Sequence, residues 1–222
     1  MGISENIHAI KSRIPANVKL VAVSKFHSAD AIRTAYNAGQ YIFGESRMQE
    51  ICQKHPLLPQ DIEWHFIGHL QTNKVKPVIP CTHTIHSVDS GKLLSEIEKH
   101  AARIEKRIRC LLEIHIAQED AKYGFSFDEC RKFLSENQWK KCKFAYIGGV
   151  MGMASNIEDE SQIRKEFKRL KLFFDELKND RFPEDDRFSE ISMGMSGDYM
   201  IAVEEGSTMI RVGSSVFGDR EY

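Results

Sequence analysis

Lys25 directly follows a buried apolar run that ends at Val23-Ser24. A lysine at the rim of an apolar interior has its ammonium disfavoured by desolvation, and the neutral amine that results is what Schiff-base chemistry requires. The bland alternative is a rim lysine whose stem lies on apolar surface while its charge stays in water. Near the other end of the chain, Ile191-Ser-Met-Gly-Met-Ser-Gly-Asp198 and Met209-Ile-Arg-Val-Gly-Ser-Ser-Val-Phe-Gly218 each read as strand, Gly/Ser turn and helix. Such turns offer backbone N–H groups to an anion. Gly194, Ser196, Gly197, Gly213, Ser214 and Ser215 are therefore candidates to cradle a phosphate monoester, although either turn taken singly is more often only a turn. Arg211 sits within the last apolar run, on the face opposite Ile210 and Val212. A buried arginine needs a partner, either an acid on another strand such as Glu113 or a bound ring or anionic group. His65, His69, His83 and His86, with Cys81 nearby, lack the spacing of a metal site, so no metal is expected. His65 reads instead as a satisfied core histidine or as a lining of the ligand pocket.

These groups must be positioned by an alternating framework. Strands are expected over 18–23, 41–43, 62–67, 84–88, 108–116, 144–150, 189–193 and 209–212, because these short runs are rich in β-branched and aromatic residues. Helices are expected between them, over 28–38, 46–53, 71–75, 90–107, 127–137, 158–178, 198–205 and 215–217. Ser28 suits the N-cap of the first and Gly39 its end. The long helix near 90–107 carries Leu93, Leu94, Ile97, Ala101 and Ile104 on one side, and the one near 158–178 carries Ile163, Phe167, Leu170, Phe174 and Leu177. Eight strands alternating with helices imply a parallel sheet with right-handed crossovers, closed as a single (β/α)8 TIM barrel over residues 1–222. An open doubly wound sheet is the rival, but the first strand is not followed by G-x-G-x-x-G. In a barrel, functional groups lie at the C-terminal ends of the strands and phosphates behind the last two, where Lys25 and the two Gly/Ser turns stand.

Composition narrows the classes further. The 222 residues carry 31 Lys+Arg against 32 Asp+Glu, a net charge of −1, which leaves no broad basic surface for nucleic acid or anionic membrane. No apolar run approaches the ~20 residues of a membrane span, and the opening residues lack a signal core, so a cytoplasmic protein is expected. The five cysteines are scattered without a C-x-x-C pair and read as reduced thiols.

Five blocks then fall in order along the chain: Val21-Ala-Val-Ser-Lys25; Phe43-Gly-Glu45 with Gln49-Glu50; Trp64-His-Phe-Ile-Gly68 with Leu70-Gln71 and Asn73-Lys74; Ser192-Met-Gly-Met-Ser196; and Gly206-Ser-Thr-Met-Ile-Arg-Val-Gly213 with Phe217-Gly218. Together they resemble the pyridoxal phosphate homeostasis protein family, which is similar in fold to the barrel domain of alanine racemase and of ornithine decarboxylase. The resemblance implies that Lys25 holds pyridoxal 5′-phosphate as a Schiff base. It also implies that Ser196, Gly213 and Ser214 hold the phosphate, that Arg211 faces the pyridine nitrogen, and that His65 and Asn73 belong to the cofactor site. A permanent cation at that nitrogen weakens the ring as an electron sink. The barrel consumes the chain, leaving no β-domain of the kind that completes the related racemases, so the resemblance implies a cofactor carrier with PLP-dependent apo-enzymes as recipients and no turnover. A minimal amino-acid racemase or decarboxylase is the alternative, and a Schiff-base aldolase acting on a phosphorylated sugar is a third reading. Ser46 and Ser214 replace the family's usual Asn and Thr, and 148–154 departs from its usual pattern.

Overall fold

A computed structural model describes residues 2–118 and 123–218. Its eight strands are β1 (Lys19–Val23), β2 (Ile42–Glu45), β3 (Glu63–Phe66), β4 (Thr84–Val88), β5 (Ile108–His115), β6 (Ala145–Met153), β7 (Glu190–Ser192) and β8 (Met209–Val212). They pair in parallel in chain order, and β8 closes on β1 through Lys19↔Met209 to Ala22↔Val212. The helices are α1 (Ile3–Arg13), α2 (Ala29–Asn37), α3 (Met48–Lys54), α4 (Val75–Val78), α5 (Gly91–Arg103), α6 (Phe127–Ser135), α7 (Glu160–Asp180), α8 (Tyr199–Glu204) and α9 (Ser214–Phe217). None of the described helices is long and apolar enough to cross a membrane.

The expected βα units form for the expected local reasons. Ser28 caps α2 by accepting from the Ala31 amide at 3.2 Å, and Gly39, with φ +81°, ends the turn that follows. Ser126 and Glu129 form a reciprocal capping box on α6. Two helices differ in detail. The helix that carries Leu93, Leu94, Ile97 and Ala101 stops at Arg103, because the chain reverses through Glu105 at φ +51°, and Ile104 is left about half exposed. On α7, Phe173 is buried, while Phe174 packs at the edge with its ring stacked on Phe188. Helix α1 was not among the expected elements. Ile3, Ile7 and Ile10 carry its helical spacing, Ile7 and Ile10 are buried, and the Asn6 amide donates to the Val216 carbonyl at 3.0 Å.

One large apolar cluster lies between the sheet and the surrounding helices. The barrel's lumen is separate and is built in layers, because side chains alternate in and out along each strand and each layer takes one residue from every second strand. The lowest layer is Lys19, Glu63, Arg109 and Glu190, from β1, β3, β5 and β7. Its charges alternate in sign around the ring: Lys19 pairs with Glu190, and Arg109 lies 3.8 Å from both Glu63 and Glu190. Two residues further up the same strands stand Val21, His65, Leu111 and Ser192, all buried. Two further again come Val23, Ile67, Glu113 and Gly194. Glu113 is the one titratable side chain of that uppermost set, and it reaches the mouth on β5, opposite β1 in the closed order.

Strand β6 admits this geometry through a bulge at Gly148-Gly149. A Cβ on Gly149, whose φ is +151°, would lie 1.9 Å from the Glu190 carbonyl oxygen. Gly149→Ala is therefore expected to destabilise the fold by about 3 kcal/mol, combining backbone strain with overpacking, as read from urea unfolding.

Candidate functional site

Lys25 leaves the end of β1 half-buried, in a short loop held from both sides. On the outer side of the sheet, the Lys54 ammonium donates to the Ser24 carbonyl at 2.9 Å, to Glu45 at 2.7 Å and to Glu50 at 2.8 Å, which uses all three of its protons. Ser24 donates its hydroxyl to Glu45 at 2.7 Å, and Glu50 accepts from the Phe26 amide at 2.7 Å. Phe26 sits at φ +69°, a conformation that a phenylalanine adopts only where its surroundings impose it. The Arg47 guanidinium covers its ring at 4.4 Å. On the other side, His27 stacks on Phe217 of α9 at 4.7 Å. Burial raises the Glu45 pKa against the pull of Lys54, whereas Glu50, although burial opposes it, is held below the usual range by Lys54 and the Phe26 amide. The motif residues Glu45 and Glu50 thus anchor the backbone on which Lys25 stands.

Arg211 lies inside the barrel, 4% exposed. The ion pair with Glu113 envisaged above does not form: the guanidinium donates to the Ser192 hydroxyl at 2.6 Å and to the Gly152 carbonyl at 3.1 Å. Ser192 contacts His86 Nδ1 at 3.0 Å, His86 Nε2 contacts His65 Nδ1 at 2.9 Å, and His65 Nε2 contacts Glu63 at 3.0 Å. The direction of this file follows from its ends, since a guanidinium only donates and a carboxylate only accepts. Because burial favours neutral rings, and Glu63 can only accept, His65 and His86 are each protonated on Nε2 and the Ser192 hydroxyl donates to His86 Nδ1. Burial lowers both histidine pKa values, that of His86 strongly. The His65 hydrogen bond holds Glu63 down to about 2, and desolvation brings Arg211 to about 10, still cationic at neutral pH.

The two Gly/Ser turns meet. Gly213 donates its amide to the Ser196 hydroxyl at 3.3 Å, and Arg211 donates its amide to the Gly194 carbonyl at 2.9 Å. Gly194 takes φ +97°, and a Cβ there would lie 2.6 Å from that of Ala202, so only glycine fits the turn. The amides of Ser196, Gly197, Ser214 and Ser215 make no hydrogen bond within the described residues and could donate to an anion. Of the other candidates, His65 lies fully buried in the lumen and reaches Arg211 only through His86 and Ser192. Asn73 is exposed in the 3-10 turn Thr72–Lys74, with no hydrogen bond to another candidate. His69 stacks on Tyr123 at 3.6 Å, and His83 accepts from the Trp64 amide at 3.1 Å.

Comparison with known proteins places this geometry. The chain matches the family described as Alanine racemase, N-terminal domain, over residues 2–221. It is 35% identical to the human Pyridoxal phosphate homeostasis protein over 236 residues, covering 99% of this chain and 85% of that one. The Helicobacter pylori (strain ATCC 700392 / 26695) protein of the same name is 36% identical over 202 residues, covering 90% and 87%. The chain belongs to the pyridoxal phosphate homeostasis protein family. Among solved structures, PipY of Synechococcus elongatus with PLP bound superposes with a TM-score of 0.88 at 35% identity, covering 97% of this chain and all of that one. Alanine racemase from E. faecalis, at 17% identity and a TM-score of 0.73, shares the fold alone, and the match spans 57% of its length.

Sequence reasoning passed over Lys54, weighed His86 only as a metal ligand and met Ser192 only as the first residue of a motif block; the three act through Ser24, Glu45 and Arg211. It treated Glu113 only as an ion-pair partner. That carboxyl is 7% exposed and pushed up to about 7, first by burial and then by Asp89, with Arg211 opposing. Lys54→Met strands a buried Glu45 carboxylate and is expected to cost about 3–5 kcal/mol in urea unfolding. For Glu113 the folded pKa exceeds the unfolded one, so the folded state binds the proton more tightly and stability falls as pH rises from about 4.5 through about 7. Relative to the parent, Glu113→Gln should therefore gain up to about 3 kcal/mol between pH 4.5 and pH 8, measured by unfolding at each pH.

Proposed function

We propose that this chain, as one barrel domain, binds pyridoxal 5′-phosphate at the barrel mouth and serves vitamin B6 homeostasis in the cytoplasm. Support comes from its family membership and from PipY, a relative solved with PLP bound. The carrying observation is the meeting of three groups at one mouth: Lys25 on its pinned loop, the unpaired amides of the joined Gly/Ser turns, and the Arg211 guanidinium held from below. The cofactor supplies an aldehyde, an aromatic ring and a phosphate dianion, and the donor set matches each. Lys25 is the amine for the aldehyde. Ser196 and Ser214 offer hydroxyl and amide donors to the phosphate, and Gly213 orients Ser196 through its own amide, with the helix starts behind them adding favourable dipoles. Arg211 donates toward the ring nitrogen as a fixed cation and so keeps that nitrogen unprotonated. His65 supports Arg211 from a distance through His86 and Ser192, and Asn73 enters this reading only through the family resemblance.

The Arg211 cation, which weakens the ring as an electron sink, favours a protein that holds the cofactor for delivery to PLP-dependent apo-enzymes over one that turns it over. A minimal amino-acid racemase or decarboxylase is the second reading, and one observation favours it: a titratable carboxyl, Glu113, lies across the mouth from β1. Amino-acid turnover assays separate the two. The cofactor reading is tested by adding pyridoxal phosphate to the purified chain and to Lys25→Ala, recording visible spectra, reducing with borohydride and mapping peptides. The parent should turn yellow and carry the label on Lys25, and the variant should do neither. A colourless parent, or label on other lysines only, would overturn the reading.

A further inference from the structure

The structure assigns a second binding position at the barrel mouth, for a primary amine on a short apolar body, with Glu113 as its counter-charge. A cavity of about 280 Å3 opens there, lined by Glu113, His115, Tyr123, Met153, Ala154 and Met195. This is the small end of ligand-cavity size. Two observations point to an occupant. The Glu113 Oε2 atom is buried and has no hydrogen-bond partner among the described residues, in a side chain 93% withdrawn from water. Such an oxygen costs about 1–3 kcal/mol unless a donor meets it. Around it, Tyr123, Met153 and Met195 expose 47%, 44% and 38% of their surfaces, which is apolar area concentrated at one rim.

The charges on the surrounding elements select the donor. Asp89, just after β4 and 3.5 Å from His69 Nδ1, adds negative potential, and Arg211 on β8, itself faced by Asp198, adds positive potential from below without reaching ion-pair distance of Glu113. From β6 the residue in register is the uncharged Met151, and on β5 itself His115 lies two residues on. Gly124, at φ +97°, lets the chain return close over Glu113, where a Cβ would lie 3.5 Å from the Glu113 Cγ. A carboxylate ligand would face two acids. A hydroxyl would supply a hydrogen bond but no charge. An ammonium supplies both, and the methionines and Tyr123 cover a short hydrocarbon tail. The position stands in the uppermost lumen layer, across the barrel from β1 and Lys25. It rests on the cofactor reading for its meaning, as the place where a competing amine would wait, but amine binding itself needs no cofactor.

The test uses the full chain without cofactor and n-butylamine as the probe, titrated by ligand-observed NMR at pH 6 and pH 8, with n-butanol and butyrate as controls. The amine stays protonated over this span, as a lysine does, so the probe itself does not change state, and Glu113→Gln isolates the part of the pH dependence that belongs to Glu113. Affinity for n-butylamine should rise about tenfold from pH 6 to pH 8, while n-butanol binding stays flat and butyrate does not bind. Glu113→Gln, with unfolding checked alongside, should abolish the rise and weaken binding at pH 8 about tenfold. Lys25→Ala should keep the amine site while losing cofactor attachment, which separates failure of this inference from failure of the cofactor reading. Amine binding that is flat with pH, unchanged in a folded Glu113→Gln, or absent from the parent at pH 8 would overturn it.

Discussion

Closing eight parallel strands on themselves leaves a narrow, dry lumen into which every second residue must point, and any polar group placed there has to find its partner there too. The file from Arg211 through Ser192, His86 and His65 to Glu63 meets that demand. It puts a cation under the mouth and an anion at the floor, joined by neutral groups whose protons all run one way. The alternating ring of Lys19, Glu63, Arg109 and Glu190 closes the floor beneath it. Because each member of the file fixes its neighbour's tautomer, the orientation of Arg211 at the mouth depends on residues at the far end of the barrel.

The loop of Lys25 is controlled in the same manner from outside the sheet. Lys54 draws the end of β1, Glu45 and Glu50 together, and Glu50 in turn holds the strained amide of Phe26. The stack of His27 on Phe217 ties that loop to the helix of the last Gly/Ser turn. Lys25 and the two Gly/Ser turns, far apart in sequence, are therefore held by one connected set of contacts. Such positioning suits a protein whose task is to hold a ligand in one geometry.

The pyridoxal phosphate homeostasis relatives match nearly the whole chain, whereas alanine racemases share the barrel at identities where only the fold carries over. What distinguishes this mouth is its upper layer. Val23, Ile67 and Gly194 leave Glu113 as the single titratable member, its Oε2 without a hydrogen-bond partner among the described residues and beside apolar surface. Burial, and after it Asp89, pushes that carboxyl up to about 7, which makes the mouth sensitive to pH near neutrality.

Much of this was legible in the residues alone. Short apolar runs rich in β-branched and aromatic residues, together with capped helical stripes, encode the eight βα units, since both depend on neighbours within a dozen positions. Lys25, Arg211 and the two Gly/Ser turns were visible because each carries its chemistry in its own type and in its place at a strand end. Helix α1 was overlooked although Ile3, Ile7 and Ile10 mark it, and Ile104 was given to a helix that a left-handed Glu105 had already ended. The partners belonged to the tertiary structure. That Arg211 bonds Ser192 rather than Glu113, that Lys54 supports Lys25, and that Glu113 is left unpaired all depend on which strands become neighbours when the barrel closes. A sequence lists the donors and acceptors; the through-space distances that pair them, and the burial that shifts their protons, exist only after the chain has closed.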